Sequence, residues 1–210
     1  MSSRVREIFT DLSLVEKIKR RLPYLFYLAE LESSRAGKIG MEVGSLREKI
    51  IAALLIYKFG EQNVETAVPI TQPEVDMLLY GKPISVKTIT GSRFSGVKLI
   101  WTVDPYKAQE FRENYSPYCD ILLIQIAWGK VGGFHYLPLE VQQDVFNKFG
   151  RNAYIKLPKP GTNPRGVEFS KEALLALVKN PGTYSIEINW QRPKIDYNPY
   201  KRWVDLWREE

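Results

Sequence analysis

Pro73-Glu74-Val75-Asp76-Met77-Leu78-Leu79-Tyr80-Gly81-Lys82-Pro83-Ile84-Ser85-Val86-Lys87-Thr88 reads as two short strands around a tight turn. The turn formers cluster at Tyr80-Gly81-Lys82-Pro83, with apolar residues on both sides. If Leu79 and Ile84 flank the turn, an antiparallel register sets Leu78 against Ser85 and Asp76 against Lys87. Opposed residues in such a pair have Cβ atoms about 5 Å apart, so one small ligand can touch both. Ser85 and Lys87 share a face, while Ile84 and Val86 point the other way, into a core. An acid and a lysine so placed can sit around a divalent cation, a water and a phosphate. They can equally form a solvated ion pair of little consequence.

Outward from this hairpin the chain alternates helical and strand patterns. Leu12, Val15, Ile18, Leu22 and Leu25 predict a helix within residues 4–32, with a break near Pro23. A glycine-rich stretch, residues 37–44, follows. Ser45 then opens a helix to Phe59 whose apolar face is Leu46, Ile50, Ala53, Leu54 and Tyr57. Strands are expected at about 63–70, 74–80, 83–90 and 97–103, and Asp104-Pro105 caps a helix to Asn114. The nearly continuous apolar run from Cys119 to Trp128 predicts a buried central strand. A hairpin at 129–138, a helix at 140–149, a strand at 153–157, a loop at 156–166, a Ser170-capped helix to Lys179 and a strand at 184–190 complete the pattern. The fold expected is α/β (α+β), a mixed β-sheet flanked by helices, in a single domain over 1–210. Within it, 1–44 forms an N-terminal helical segment and loop, 45–127 the core, and 128–210 a C-terminal extension.

Composition narrows the chemistry. The 210 residues include one cysteine, Cys119, and one histidine, His135. A cysteine zinc cluster and an intrachain disulfide are therefore excluded, and His-rich metal sites are disfavoured. No GxSxG and no GxxxxGK[ST] occurs, so neither a serine-hydrolase elbow nor a nucleotide-binding P-loop is present. Carboxylates and lysine are left to carry any catalysis. No apolar run reaches transmembrane length and no secretory signal pattern opens the chain, so the expectation is a cytoplasmic protein with no membrane partner. A formal charge of +6 suits a polyanionic partner.

The element order, with Asp76 and Ser85-Val86-Lys87 on adjacent strands, resembles the PD-(D/E)xK nuclease superfamily over roughly residues 45–127. Residues 39–48 and 160–168 are further similar to type II restriction endonucleases of prokaryotes. The resemblance implies a restriction-endonuclease-like core, Mg²⁺ as cofactor, and hydrolysis of double-stranded DNA at a short palindromic, CG-rich site by a homodimer. It implies catalytic roles for Glu48, Asp76 and Lys87, with Glu48, Asp76 and the Val86 carbonyl as metal ligands. Two departures stand out. Glu74-Val75-Asp76 lacks the Pro-Asp pair, and Ser85 stands where the family has its second acid, although a hydroxyl is a poor ligand for a hard cation. Glu48, on the helix before the first strand, is the best substitute. Against it, Ser45-Leu46-Arg47-Glu48 matches a capping box that would occupy its carboxylate. Glu74, Ser85, Glu42 and Glu65 are weaker candidates.

For DNA contact, the resemblance makes Met41 a wedge entering the base stack; otherwise the side chain packs beneath the following helix. Two loops carry groups able to read guanine and cytosine edges or phosphates. One holds Ser92 and Arg93, the other Lys156, Lys159, Asn163 and Arg165. Trp203 and Trp207 lie one helical turn apart in an aromatic, basic tail suited to packing on the core or on a partner. A repair or junction nuclease of the same fold, or a DNA-binding module without catalysis, shares most of these features.

Overall fold

The computed structural model describes residues 4–35, 38–40, 42–68, 74–158 and 166–209. The helices are α1 (Glu7–Thr10), α2 (Leu12–Ser33), α3 (Val43–Phe59), α4 (Pro105–Asn114), α5 (Leu139–Phe149), α6 (Arg151–Tyr154), α7 (Lys171–Lys179) and α8 (Lys201–Arg208). The strands are β1 (Ser34–Arg35), β2 (Lys38–Ile39), β3 (Val64–Glu65), β4 (Met77–Leu79), β5 (Lys82–Thr90), β6 (Lys98–Ile100), β7 (Asp120–Ile126), β8 (Val131–Leu137), β9 (Ile155–Lys156), β10 (Val167–Phe169) and β11 (Tyr184–Asn189).

The main sheet has six strands in the order β11-β8-β7-β5-β4-β3. Only β5 and β7 run parallel, and the crossover between them contains α4. All seven residues of β7 are buried, as an apolar run at the centre of a two-sided sheet requires. Ile84, Val86, Leu122, Ile124 and Phe134 face the core shared with α2 and α3. Ile89, Ile121, Leu123 and Leu137 face a second core built with α4, α5 and α7. A small sheet, β6-β10-β9, borders that second core.

The helices start and stop for identifiable reasons. Asp11 caps α2 through a hydrogen bond from the Leu14 amide at 3.1 Å, and Leu14, Ile18, Leu22 and Phe26 form its buried stripe. The expected break at Pro23 does not occur. Pro23 lies inside α2, and the chain bends instead at Asp11, between α1 and α2. Asp104 and Ser170 cap α4 and α7 as expected. Residues 151–154 are helical rather than extended, leaving only Ile155 and Lys156 as strand.

The hairpin forms, but its register differs from the expected one by two residues. The turn has only two central residues, Tyr80 and Gly81, with φ of 50° and 73°. Two positive φ values mark the type I′ geometry that matches strand twist. Tyr80 tolerates its left-handed backbone because its ring is held by Phe59 at 6.1 Å and by Arg4 at 4.9 Å. The pairs are therefore Leu79↔Lys82, Leu78↔Pro83 and Met77↔Ile84. Pro83 needs no amide on its other edge, because pairing with β7 begins one residue later at Ile84↔Asp120. An even-numbered shift leaves every β5 side chain on its expected face. It does remove Asp76 from opposite Lys87: the Asp76 amide donates to the Ile84 carbonyl at 2.9 Å.

Candidate active site

Asp76 stands just before β4, where the ladder with β5 ends. Its Oδ2 accepts the Val86 amide at 2.6 Å and the Ser85 hydroxyl at 3.3 Å. Ser85 thus has a role the family pattern does not suggest, that of orienting Asp76. Along a strand, the amide and carbonyl of one residue point to the same edge. The Val86 carbonyl therefore faces the same side as its amide, toward Asp76 and past the last β4 pair. Burial pushes the Asp76 carboxyl up, and nearby Lys87, the Val86 amide and the Ser85 hydroxyl partly offset this.

Glu48 comes from α3. That helix begins at Val43, two residues before Ser45, so Ser45 lies within the first turn and Glu48 in the second. A capping box needs the serine at the cap itself, and this start leaves Glu48 free of that duty. Burial, aided by the Asp76 charge and opposed by Lys87, raises the Glu48 carboxyl to about 6. The charges of Asp76 and Lys87 both act on Glu48, and that of Lys87 also acts on Asp76.

Glu74 adds a feature the sequence does not disclose. It is only 2 % exposed, and its Oε1 is buried with no hydrogen-bond partner among the described residues. Burial lifts its carboxyl to about 7, with Lys87 the main opposing influence and Asp76 adding to the rise. Tyr115, Tyr118, Cys119 and Tyr154 surround it closely enough that its charge helps hold their own acidic groups protonated. Three carboxylates therefore share the field of one ammonium. The acidic, valine-interrupted run Glu74-Val75-Asp76 gives no sign of so complete a burial.

This arrangement fits a divalent cation. Glu48 and Asp76 are both raised by burial, and Glu48 further by the Asp76 charge, a cost that a cation beside them would remove. Among the described residues no three His, Cys, Asp or Glu side chains form a complete metal cage. A pair of carboxylates with a backbone carbonyl suits an ion that keeps several waters. Glu65 is exposed on β3 opposite Leu78, and Glu42 is exposed at the start of α3. His135 is buried and held neutral, its imidazole pushed down to about 4 by burial, with Nδ1 2.8 Å from the Ser185 hydroxyl.

The first candidate DNA loop is held at its base and open at its tip. The Gly91 amide donates to the Ile126 carbonyl at 2.7 Å, Gln125 Nε2 donates to the Gly91 carbonyl at 3.2 Å, and Phe94 meets His135 edge-on at 5.9 Å. Ser92 and Arg93 are left exposed between these anchors. Lys156 is less available than expected. It pairs with Glu168 at 3.0 Å, and Glu168 also holds Lys98 at 3.2 Å. Lys98 in turn lies over the exposed ring of Trp101 at 4.7 Å, an aromatic-basic pair that the sequence reading passed over. Met41, Lys159, Asn163 and Arg165 lie outside the described residues. In α8 no residue is buried, so Trp203 and Trp207 do not pack on the core. Among the described residues no helix is long and apolar enough to cross a membrane.

Comparison with known proteins agrees with this geometry. The family model for restriction endonuclease ThaI matches residues 8–209. A solved structure described as a restriction endonuclease in complex with substrate DNA is 57 % identical, with a TM-score of 0.92, covering 98 % of this chain and 99 % of that one. A search of curated proteins returns no match. Enzymes of this kind generally need a divalent metal ion. The mixed sheet, the acidic pair beside a lysine and these two matches have one meaning: the chain belongs to the ThaI restriction endonuclease family and is a type II restriction endonuclease, cutting DNA at specific sites.

Proposed function

We propose that Glu48, Asp76 and Lys87 are the catalytic residues, and that the enzyme hydrolyses double-stranded DNA at a short palindromic, CG-rich site. Glu48, Asp76 and the Val86 carbonyl would hold Mg²⁺. A bound Mg²⁺ supplies charge neutralisation at the scissile phosphate and makes water a better nucleophile. Lys87 donates hydrogen bonds to the attacking water or to the phosphate oxygen on which charge develops. Ser85 and the Val86 amide fix Asp76 on the edge where the metal is needed. Glu74 is a weaker candidate for direct participation. Ser92 and Arg93 contact the DNA, with Lys156, Lys159, Asn163 and Arg165 on the second loop, and Met41 enters the base stack. Two strands of a palindrome call for two active sites related by a two-fold axis, hence a homodimer. The setting is the prokaryotic cytoplasm.

One observation carries this reading: two desolvated carboxylates, Glu48 and Asp76, share the field of one lysine where the β4–β5 ladder ends. The test is a digest of a sequenced plasmid in Mg²⁺ with the ends mapped. Discrete fragments with one common CG-rich end sequence are expected, and Asp76→Ala should bind the same site in Ca²⁺ without cutting. Continued cutting by Asp76→Ala would sink the assignment of the site. Sedimentation of the DNA complex tests the dimer.

A further inference from the structure

Among the described residues, two apolar surfaces of this chain are left uncovered, and they lie on different elements. The first is on α3. Ile51, Ala52, Leu55 and Phe59 turn one stripe of that helix into the core. Ile50, Leu54 and Tyr57 form a second stripe beside it. With Ile18, Leu22 and Leu25 of α2 they line an open groove of about 300 Å³, in which Ala53 is exposed. The second surface is α8. Tyr200, Trp203, Val204 and Trp207 recur at helical spacing along one face, and all four are exposed. Lys201, Asp205 and Arg208 hold the other face together, with ion pairs of 2.7 and 3.6 Å. A helix this short is marginal on its own in water, so an apolar stripe along it marks a contact.

We propose that α8 of one copy of this chain docks in the α2–α3 groove of a second copy, which returns the contact and closes a two-fold dimer. The inference rests on the homodimer reading and names the surface that forms it. The helix does not reach its own groove. Its root is fixed: Trp190 is fully buried, and Arg192 lies 3.6 Å from Glu30 and 5.0 Å from the Trp128 ring. Pro193 then runs in a separate trough with Arg20 and Tyr24, and Lys17 and Arg21 are the wall between that trough and the groove. Farther on, the charge of Glu32 acts on Tyr197. Glu32 stands about 10 Å past Leu25 along α2. The chain thus reaches α8 beyond the end of the groove. The sizes also agree. Tyr200, Trp203 and Trp207 are 71, 58 and 90 % exposed. At the usual area of an aromatic side chain they offer roughly 300–500 Å². Two such helices and the two grooves that receive them would bury on the order of 1,200–2,000 Å², the range of stable interfaces.

The experiment is sedimentation equilibrium of the full chain without DNA. Wild type is expected to be dimeric. Trp203→Ser with Trp207→Ser strips the helix face, and Ala53→Arg places a charge in the groove. All three positions are exposed in the single chain, so the fold of the monomer should hold. Far-UV circular dichroism and the urea midpoint at high dilution check that. Each variant is expected to weaken dimerisation by on the order of 100-fold or more, as loss of a buried aromatic anchor does. Mixed in equal amounts, the two variants should associate more tightly than either does alone. The Ala53→Arg chain supplies an intact helix and the serine chain an intact groove. One of the two exchanged contacts is then restored, and the other cannot be lost twice.

Wild-type dimerisation of the serine variant would overturn the proposal. So would wild-type dimerisation of Ala53→Arg, which would mean that α8 is covered elsewhere, by its own counterpart or by another face of the second copy. A mixture no tighter than its components would overturn the exchange. Wild type that stays monomeric without DNA would overturn the interface, while sedimentation of the DNA complex still decides the homodimer reading. If Ala53→Arg does not fold, Tyr57→Asp, at an exposed position in the same groove, takes its place with the same outcomes.

Discussion

Glu30 and Glu74 are equally hidden carboxylates with opposite surroundings. Glu30, at the end of α2, is 4 % exposed, and Glu74 is 2 % exposed. Glu30 Oε1 accepts from Arg47 at 2.7 Å and from Trp128 Nε1 at 2.9 Å, and Oε2 lies 3.6 Å from Arg192. Three donors from α3, the β7–β8 turn and the chain after β11 thus meet on one acid. Glu74 has an orphan oxygen and a lysine whose charge it shares with Asp76 and Glu48. The contrast separates two uses of a buried acid. One is satisfied and ties remote segments together; the other is left wanting near the residues proposed to hold a cation and a phosphate.

The largest way to break the comparison is at the metal edge. Asp76→Ala should lower the cleavage rate by on the order of 10³-fold or more, since it removes a proposed metal ligand and the acceptor of two hydrogen bonds. Its unfolding midpoint in metal-free buffer should barely fall, because the charge removed was itself costly. A single-turnover assay and a urea titration on the same preparation check both halves. A loss of fold together with the loss of cutting would mean that the acid is structural.

At the other acid the expected loss is stability. Glu30→Ala leaves Arg47 charged in a buried site and should cost about 3–5 kcal/mol. For a chain of this size each kcal/mol corresponds to about 2–4 °C in Tm. Glu30→Met combined with Arg47→Leu should recover most of that, because two well-packed apolar groups leave no orphan charge. Calorimetry of the three proteins checks it. If the double variant is as unstable as the single one, the pair contributes specific attraction beyond mutual neutralisation.

How much of this was legible in the sequence follows from which forces are local. The helix from Asp104-Pro105, the Ser170 cap and the apolar run of β7 were readable because capping and periodicity act within a few residues. That Asp76 and Lys87 belong to one hairpin was readable for the same reason. The register was not, because it turns on Tyr80 adopting a positive φ, and that depends on Phe59 and Arg4 from distant elements. The capping box failed similarly. The local motif fits, but α3 is started at Val43, after Gly40 is drawn against Ser33. Gly40 donates its amide to the Ser33 carbonyl, and a Cβ there would stand 2.6 Å from that oxygen. Glu30's partners lie 17, 98 and 162 positions away along the chain, beyond any motif. The burial of Glu74 brings its charge near Tyr115, Tyr118, Cys119 and Tyr154, residues 41 to 80 positions away, which no spacing announces.

A third buried polar group sharpens the comparison through pH. His135 is held neutral, its imidazole pushed down to about 4 from an ordinary value near 6.5 by burial. The folded state therefore binds its proton less readily than the unfolded chain. Its contribution to stability is full above about pH 6.5 and is lost as the pH falls through 6.5 toward 4. A shift of that size corresponds to at most about 3 kcal/mol. Urea unfolding of wild type and His135→Gln at pH 7.5 and at pH 5 should show a smaller drop for the variant. An equal drop in both would place the acid sensitivity elsewhere.

The smallest expected effect is the most discriminating, because it sets the same substitution against both acids. Glu→Gln keeps shape and halves the accepting capacity while adding donors. At position 30 the glutamine must face Arg47, Trp128 and Arg192 without a charge, so Glu30→Gln should lower stability by about 1–3 kcal/mol. At position 74 it removes a charge that nothing fully answers, so Glu74→Gln should raise metal-free stability, by about 1 kcal/mol, the usual scale for relieving a functional strain. Urea midpoints at pH 8 with unchanged m-values give both numbers. Opposite signs would show that two acids of equal burial are held for different ends. If both variants lose stability, Glu74 is satisfied after all, and its place beside Lys87 is a matter of packing.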